Sequence, residues 1–121
     1  MPDPLAPPAV KLLGQTWSVD QINSLGLRYR IASMAGEAPE LAAAICLGLC
    51  VPRIRKNGPS FNLKNLGQYG QDVMDHLLEK GATYSEIVVE GIKVFRWMAS
   101  SLPRAKVIND AEDFTEAGKE K

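Results

Sequence analysis

Apolar residues recur along this chain with two spacings. Near the start, in "AVKLLGQTWSV", Val10 and Leu12 precede and Thr16 and Trp17 follow the triplet Leu13-Gly14-Gln15, where Gly14 supplies the backbone freedom of a tight turn. This predicts a short β-hairpin. An isolated hairpin is barely stable in water, so it must lie against something, with Trp17 as the adhesive. From residue 24 onward the spacing becomes helical. Leu27, Ile31 and Met34 fall at i, i+4 and i+7, with Ser24 placed to cap the helix and Gly36 to stop it.

"APELAAAICLGLCVP" opens with Pro39 at a first-turn position and runs almost wholly apolar to Pro52. A helix apolar on nearly every side is normally the one in the middle of a domain. "RIRKNGPSF" reads as a loop, because Asn57-Gly58-Pro59 is a strong turn signal. A third helix is expected from about Asn62, with Leu63, Leu66, Tyr69 or Gly70, Val73 and Leu77 on one side and Gly81 as its C′ residue. Thr83 to Glu86 has the form of a capping box for a fourth helix. That helix presents Ile87 or Val88, Ile92, Phe95, and Met98 or Ala99, and should end near Leu102 because Pro103 cannot continue it. The expected fold class is mainly α: a small four-helix domain over residues 9–103 with an N-terminal β-hairpin. A Pro-rich arm over residues 1–8 precedes it, and a flexible polar tail over residues 104–121 follows it.

At 121 residues the chain holds one domain and a modest core. Fourteen basic residues balance fourteen acidic ones, so net charge points to no particular partner. No apolar run approaches the roughly 18 residues of a membrane span, and "MPDPLAPP" lacks the basic and apolar regions of a signal peptide. The expected location is the cytoplasm.

Catalysis is not expected. There is no G-x-S-x-G, H-E-x-x-H, Walker loop or G-x-G-x-x-G. Gly67 and Gly70 form a bare G-x-x-G, better read as close helix packing than as the phosphate clamp of an RNA-binding domain. Cys46 and Cys50 share a helix face, and with a single histidine, His76, the chain lacks the ligands of a zinc site. Both cysteines read as small core hydrophobes. His76 reads as solvated, not as a general base. No cofactor or metal is expected.

The charges are unevenly spread. No acidic residue lies between Glu40 and Asp72, whereas Arg53, Arg55, Lys56 and Lys64 do. A basic loop leading into a helix could serve phosphate or an acidic partner, or it could only keep the loop solvated. Without interleaved aromatics or a helix-turn-helix signature, nucleic-acid binding is not expected. In "KVFRWMAS", Phe95 and Trp97 lie two apart and cannot share one core. One of them is therefore partly exposed or meets another chain. The candidate protein-binding residues are Trp17, Phe95, Trp97 and Met98.

The layout over about residues 9–103 resembles the tail assembly chaperones of long-tailed bacteriophages. The resemblance rests on the "VKLLGQTWSV" hairpin, the "LGLRYRI" helix, the alanine-rich helix, and "GATYSEIVVEGIKVFRWMASSL" before a charged tail. It implies a small, helical, non-enzymatic protein that binds the hydrophobic tape measure protein, keeps it soluble during tail assembly, self-associates, and is absent from the finished tail. It also implies a longer product of ribosomal frameshifting whose extension recruits the tail tube subunit. Gly118-Lys119 fits a slippery G-GGA-AAG heptamer, and Glu120-Lys121 fits an A-rich one. A virion structural or head–tail adaptor protein, and a small nucleic-acid-binding regulator, are the alternatives.

Overall fold

The computed structural model describes residues 6–100. The expected mainly helical fold with an N-terminal hairpin is observed. The chain forms β1 (Val10–Leu12), β2 (Gln15–Trp17), α1 (Leu25–Met34), α2 (Pro39–Cys50), α3 (Pro52–Asn57), α4 (Leu66–Glu79) and α5 (Tyr84–Ser100). There are thus five helices among the described residues instead of the expected four. The expected tail over residues 104–121, most of the Pro-rich arm, the helix end at Leu102 and the proposed slippery codons lie outside the described residues.

The hairpin pairs Val10 with Trp17, Lys11 with Thr16 and Leu12 with Gln15. Its two-residue turn places Leu13 at φ 55° and Gly14 at φ 73°, both left-handed, as a type I′ turn requires. Glycine adopts that geometry freely, whereas a leucine there costs about 1 kcal/mol. Leu13 is nevertheless packed against the core. Val10 and Leu12 are fully buried, so one face of β1 is inserted into the domain.

The hairpin is also held from outside the ladder. Lys11 sits at a position whose N–H points away from β2, and this donor is satisfied by Glu90 Oε1 of α5 at 2.8 Å. Lys93 Nζ lies 2.7 Å from the same carboxylate oxygen and donates to the Ala9 carbonyl at 3.2 Å. Glu90 is the one charged residue buried among the described residues, and its partners explain its place there.

The central helix is α2. Residues 42 to 48 and Cys50 are buried, because α1, α3, α4 and α5 all contact it. Close approach depends on small residues. A Cβ on Gly91 of α5 would lie 2.7 Å from the Ala43 carbonyl oxygen, so α5 crosses α2 with backbone nearly against backbone. Gly70 of α4 plays the same part against the Leu41 carbonyl oxygen, where a Cβ would come to 2.9 Å. The reading of Gly70 as a packing residue holds.

The segment read as a loop after Pro52 is instead α3 over Pro52–Asn57. Pro52 does two jobs. It forces Val51 into an extended conformation (φ −95°, ψ 109°), which ends α2, and it then occupies the first position of the next helix. Ile54 anchors this short helix in the core. The start of α4 also differs from expectation, falling at Leu66 and not near Asn62. The Asn62 side chain accepts from the Lys64 and Asn65 amides at 3.1 and 3.2 Å, and the Asn65 side chain then caps the helix by accepting from Gln68 N–H at 3.0 Å. These local bonds compete with helix and delay it. Leu63, expected on the apolar face, is left half exposed before the helix begins.

The remaining caps follow the expected chemistry. Ser24 accepts from Leu27 N–H at 3.1 Å. Gly81, at φ 109°, ends α4 in a Schellman arrangement, with Ala82 N–H donating to Leu77 O (3.0 Å) and Gly81 N–H to Leu78 O (3.1 Å). Thr83 and Glu86 form the reciprocal capping box at 3.1 and 2.9 Å.

Candidate protein-binding surface

With 100° between successive helical residues, the side of α5 turned to the core is set by Ile87, Gly91, Val94 and Met98, all buried. The expected face is therefore half right in phase. Ile87 and Met98 are core residues, and Val88, Ile92 and Ala99 belong to the flank. Met98 has no exposed surface and is removed from the candidate contact residues. Phe95 and Trp97 lie on opposite flanks of the buried face, each half-buried and packed against the core. The argument that they cannot share one direction holds, and it leaves both of them partly exposed.

The two flanks differ in chemistry. The Trp97 flank includes Glu90 and Lys93 and therefore faces the hairpin. The Phe95 flank carries Tyr84, Val88, Ile92, Phe95 and Ala99, spaced i, i+4, i+8, i+11 and i+15. It forms an apolar seam about 22 Å long by helical rise. Tyr84 is 54% exposed and the other four are half-buried. On the outer face Val89 is also 54% exposed. Sequence reasoning singled out Phe95 but missed Tyr84 and Val89. The signal that finds Val89 is its position two residues from Ile87, once Ile87 is fixed in the core.

Trp17 sits apart from this seam, on the hairpin. Its indole N–H donates to Gln15 Oε1 at 3.0 Å, and the Arg53 guanidinium lies 5.8 Å from the ring centroid and donates to the same Gln15 oxygen. Trp17 and Arg53 help to line a cleft of about 540 Å³ between the hairpin, α3 and the end of α4, which also takes in Leu13, His76, Leu77 and Lys80. His76 is thus half-buried at a cleft wall, in place of the freely solvated position expected.

The four basic residues do not make one patch. Arg53 turns to Trp17, whereas Arg55 donates to the Leu49 carbonyl at 2.7 Å and lies 3.8 Å from the Asp20 carboxylate. Residues two apart on a helix point in different directions, so α3 itself separates them. Lys56 is exposed at the end of α3, and Lys64 belongs to the turn before α4.

Cys46 and Cys50 are buried free thiols. Burial raises the Cys46 thiol well above its ordinary value, with a further push from Cys50. Burial raises Cys50 from 9.0 to about 12, against the lowering influence of Arg55. The Tyr69 phenol is likewise pushed from 10.0 to about 12, chiefly by burial. These groups stay protonated in the fold where the unfolded chain ionises. Their stabilisation is complete below about pH 9 and is lost as pH rises towards 12. Denaturant midpoints should therefore fall steeply from pH 9.0 upward, and less steeply in a Cys46→Ala/Cys50→Ala variant. An unchanged slope in that variant rules out the thiols as its source. Among the described residues no group of three or more His, Cys, Asp or Glu side chains could hold a metal, and no helix is long and apolar enough to cross a membrane.

Compared with protein-family models, curated proteins and solved structures, the chain matches none.

Proposed function

We propose that this protein is a non-enzymatic tail assembly chaperone that holds apolar helical stretches of a tape measure protein and keeps them soluble while the tail is built. The observation that carries this reading is the seam of Tyr84, Val88, Ile92, Phe95 and Ala99 along α5. A strip with i, i+4, i+8 and i+11 spacing offers a client helix the same pattern that the client would present to it. Binding is then driven by removing apolar surface from water on both partners, with the half-buried Phe95 as the main anchor. The same seam gives a second copy of the chain something to pair with, so self-association competes with the client. The site of action is the host cytoplasm, and a longer frameshifted form would recruit the tail tube subunit.

Co-expression tests this directly. A tape measure fragment that is insoluble alone should stay in solution with the wild-type chain and precipitate with Phe95→Glu, provided far-ultraviolet dichroism shows that the variant is folded. Full client solubility with folded Phe95→Glu and Val88→Glu variants would place the contact elsewhere. Proteomics of purified particles separates this reading from a virion adaptor, since a chaperone is missing from them. Reading the gene from codon 110 past the stop shows whether a slippery heptamer and an open shifted frame are present. A nucleic-acid regulator is disfavoured, because Arg53, Arg55, Lys56 and Lys64 point in different directions and form no continuous basic patch.

A further inference from the structure

The cleft between the hairpin, α3 and α4 has a charge imbalance that the chain as a whole lacks. Among the described residues its walls carry the cations Arg53 and Lys80, with the His76 ring beside them, and no carboxylate, in a protein with fourteen acidic and fourteen basic residues. Its floor is apolar, with Leu13, Trp17 and Leu77 among the lining residues. Two features show that the walls are held in place. The Gln15 carboxamide oxygen accepts both from Trp17 and from Arg53, which fixes the guanidinium beside the indole while leaving most of its donors free. Leu13 also lends its side chain to the wall from a left-handed backbone (φ 55°) where an apolar residue of its size is rarely found. Strain of this kind persists where a particular side chain is needed.

We propose that this cleft binds an acidic peptide segment of a partner protein, with a carboxylate on Arg53, a second on Lys80, and an apolar or aromatic side chain on the floor beside Trp17. The end of α4 that borders the cleft weighs against a phosphate ligand. His76 to Lys80 close α4 at its C-terminus, whose carbonyl end carries partial negative charge, whereas Arg53 stands in the first turn of the six-residue α3 and Asn57 at its last position. A compact, multiply charged phosphate needs converging N–H groups, as at a helix N-terminus. Singly charged carboxylates spread along a peptide need only the separated side-chain cations found here. A cleft of about 540 Å³ holds one or two side chains, in keeping with a short motif. The proposal does not rest on the chaperone reading, since the cleft is built from other elements than the α5 seam.

The test is a titration of the full chain with the peptide acetyl-Glu-Asp-Phe-Glu-Asp-amide, followed by the indole N–H resonance of Trp17. A saturable shift is expected, weakening as salt is raised. It should weaken by roughly tenfold or more in an Arg53→Glu/Lys80→Glu variant, and should be lost for a peptide with Gln and Asn in place of the acids. Lys80→Gln alone provides a milder variant should the double one fail to fold. The proposal is overturned by the absence of saturation, by unchanged affinity in Lys80→Gln and in the folded double variant, or by equal binding of the acid-free peptide. Displacement of the peptide by inorganic phosphate at equal concentration overturns it in favour of a phosphate site. A change of oligomeric state in the cleft variants, with no effect of the peptide on that state, assigns the cleft to a second copy of the chain and overturns it as well.

Discussion

Replacing Gly91 by alanine should lower the stability of the folded protein by about 2 kcal/mol, although alanine is the better helix former. The intrinsic preference favours alanine by about 1 kcal/mol within a helix. Against it stands the crossing of α5 over α2, where the new Cβ would meet the Ala43 Cβ, carbonyl oxygen and carbonyl carbon at 2.7 to 2.8 Å. Two of those atoms belong to the backbone of the most buried helix, so no side chain can rotate away. The helices must separate, and overpacking of this kind costs about 3 kcal/mol. For a domain of this size the melting temperature should fall by roughly 8–16 °C. Gly26, on the first turn of α1, provides the control: an added Cβ there meets nothing closer than 4.0 Å, the Ser24 hydroxyl oxygen. Gly26→Ala should leave stability unchanged or raise it slightly. If Gly91→Ala melts with the wild type while Gly26→Ala behaves as expected, α5 and α2 do not cross as described.

The second large effect belongs to Glu90. Its carboxylate oxygen is shared by the Lys11 amide and the Lys93 ammonium, and the side chain is only 12% exposed. Glu90→Ala strips both partners at once, leaving a β1 amide without an acceptor and a lysine without its counter-ion. The expected loss is about 2–3 kcal/mol. Glu90→Gln keeps an acceptor for Lys11 and loses only the charge, so it should fall between wild type and alanine. The loss should be local as well as global. Amide exchange of residues 10 to 17 should accelerate in Glu90→Ala more than that of α2. Uniform acceleration across hairpin and helices would mean that the carboxylate stabilises the core and does not tether the hairpin.

What the sequence made legible was local. Ser24, Gly81 and the Thr83–Glu86 pair each act on backbone groups within a few residues, and each cap is found as expected. The turn of the hairpin is of the same kind, because Gly14 marks it, although Gln15, expected in the turn, opens β2 and the hairpin is fastened to the domain by distant residues of α5. The misjudged features involve competition or distance. In the sequence Pro52 signals a stop, but a proline that ends one helix can also begin the next, as it does for α3. At the start of α4 two asparagine side chains outcompete helical bonds that the apolar spacing alone would allow. The phase of α5 was ambiguous because Val88, Ile92, Phe95 and Ala99 form as good a stripe as Ile87, Gly91, Val94 and Met98. Only the glycine contact with Ala43 decides which one turns inward. Burial of Glu90 depends on a donor 79 residues away, and no window along the chain contains that fact. The cleft has the same origin, since Trp17, Arg53, His76 and Lys80 come from three separate elements and the loop edge of α4.

The position of α2 has a consequence for the birth of the chain. Its apolar surface is complete once Cys50 has been added, but its largest covers, α4 and α5, are encoded later, and Met98 follows Cys50 by 48 residues. At translation rates of roughly 5–20 residues per second, several seconds separate the synthesis of this segment from that of its last cover. During that interval the ribosome displays a twelve-residue apolar helix with only the smaller cover of α1, and then of α3, to lie against. High expression places many such nascent chains side by side, so slowing synthesis or lowering temperature should raise the soluble fraction more than any change to the finished surface.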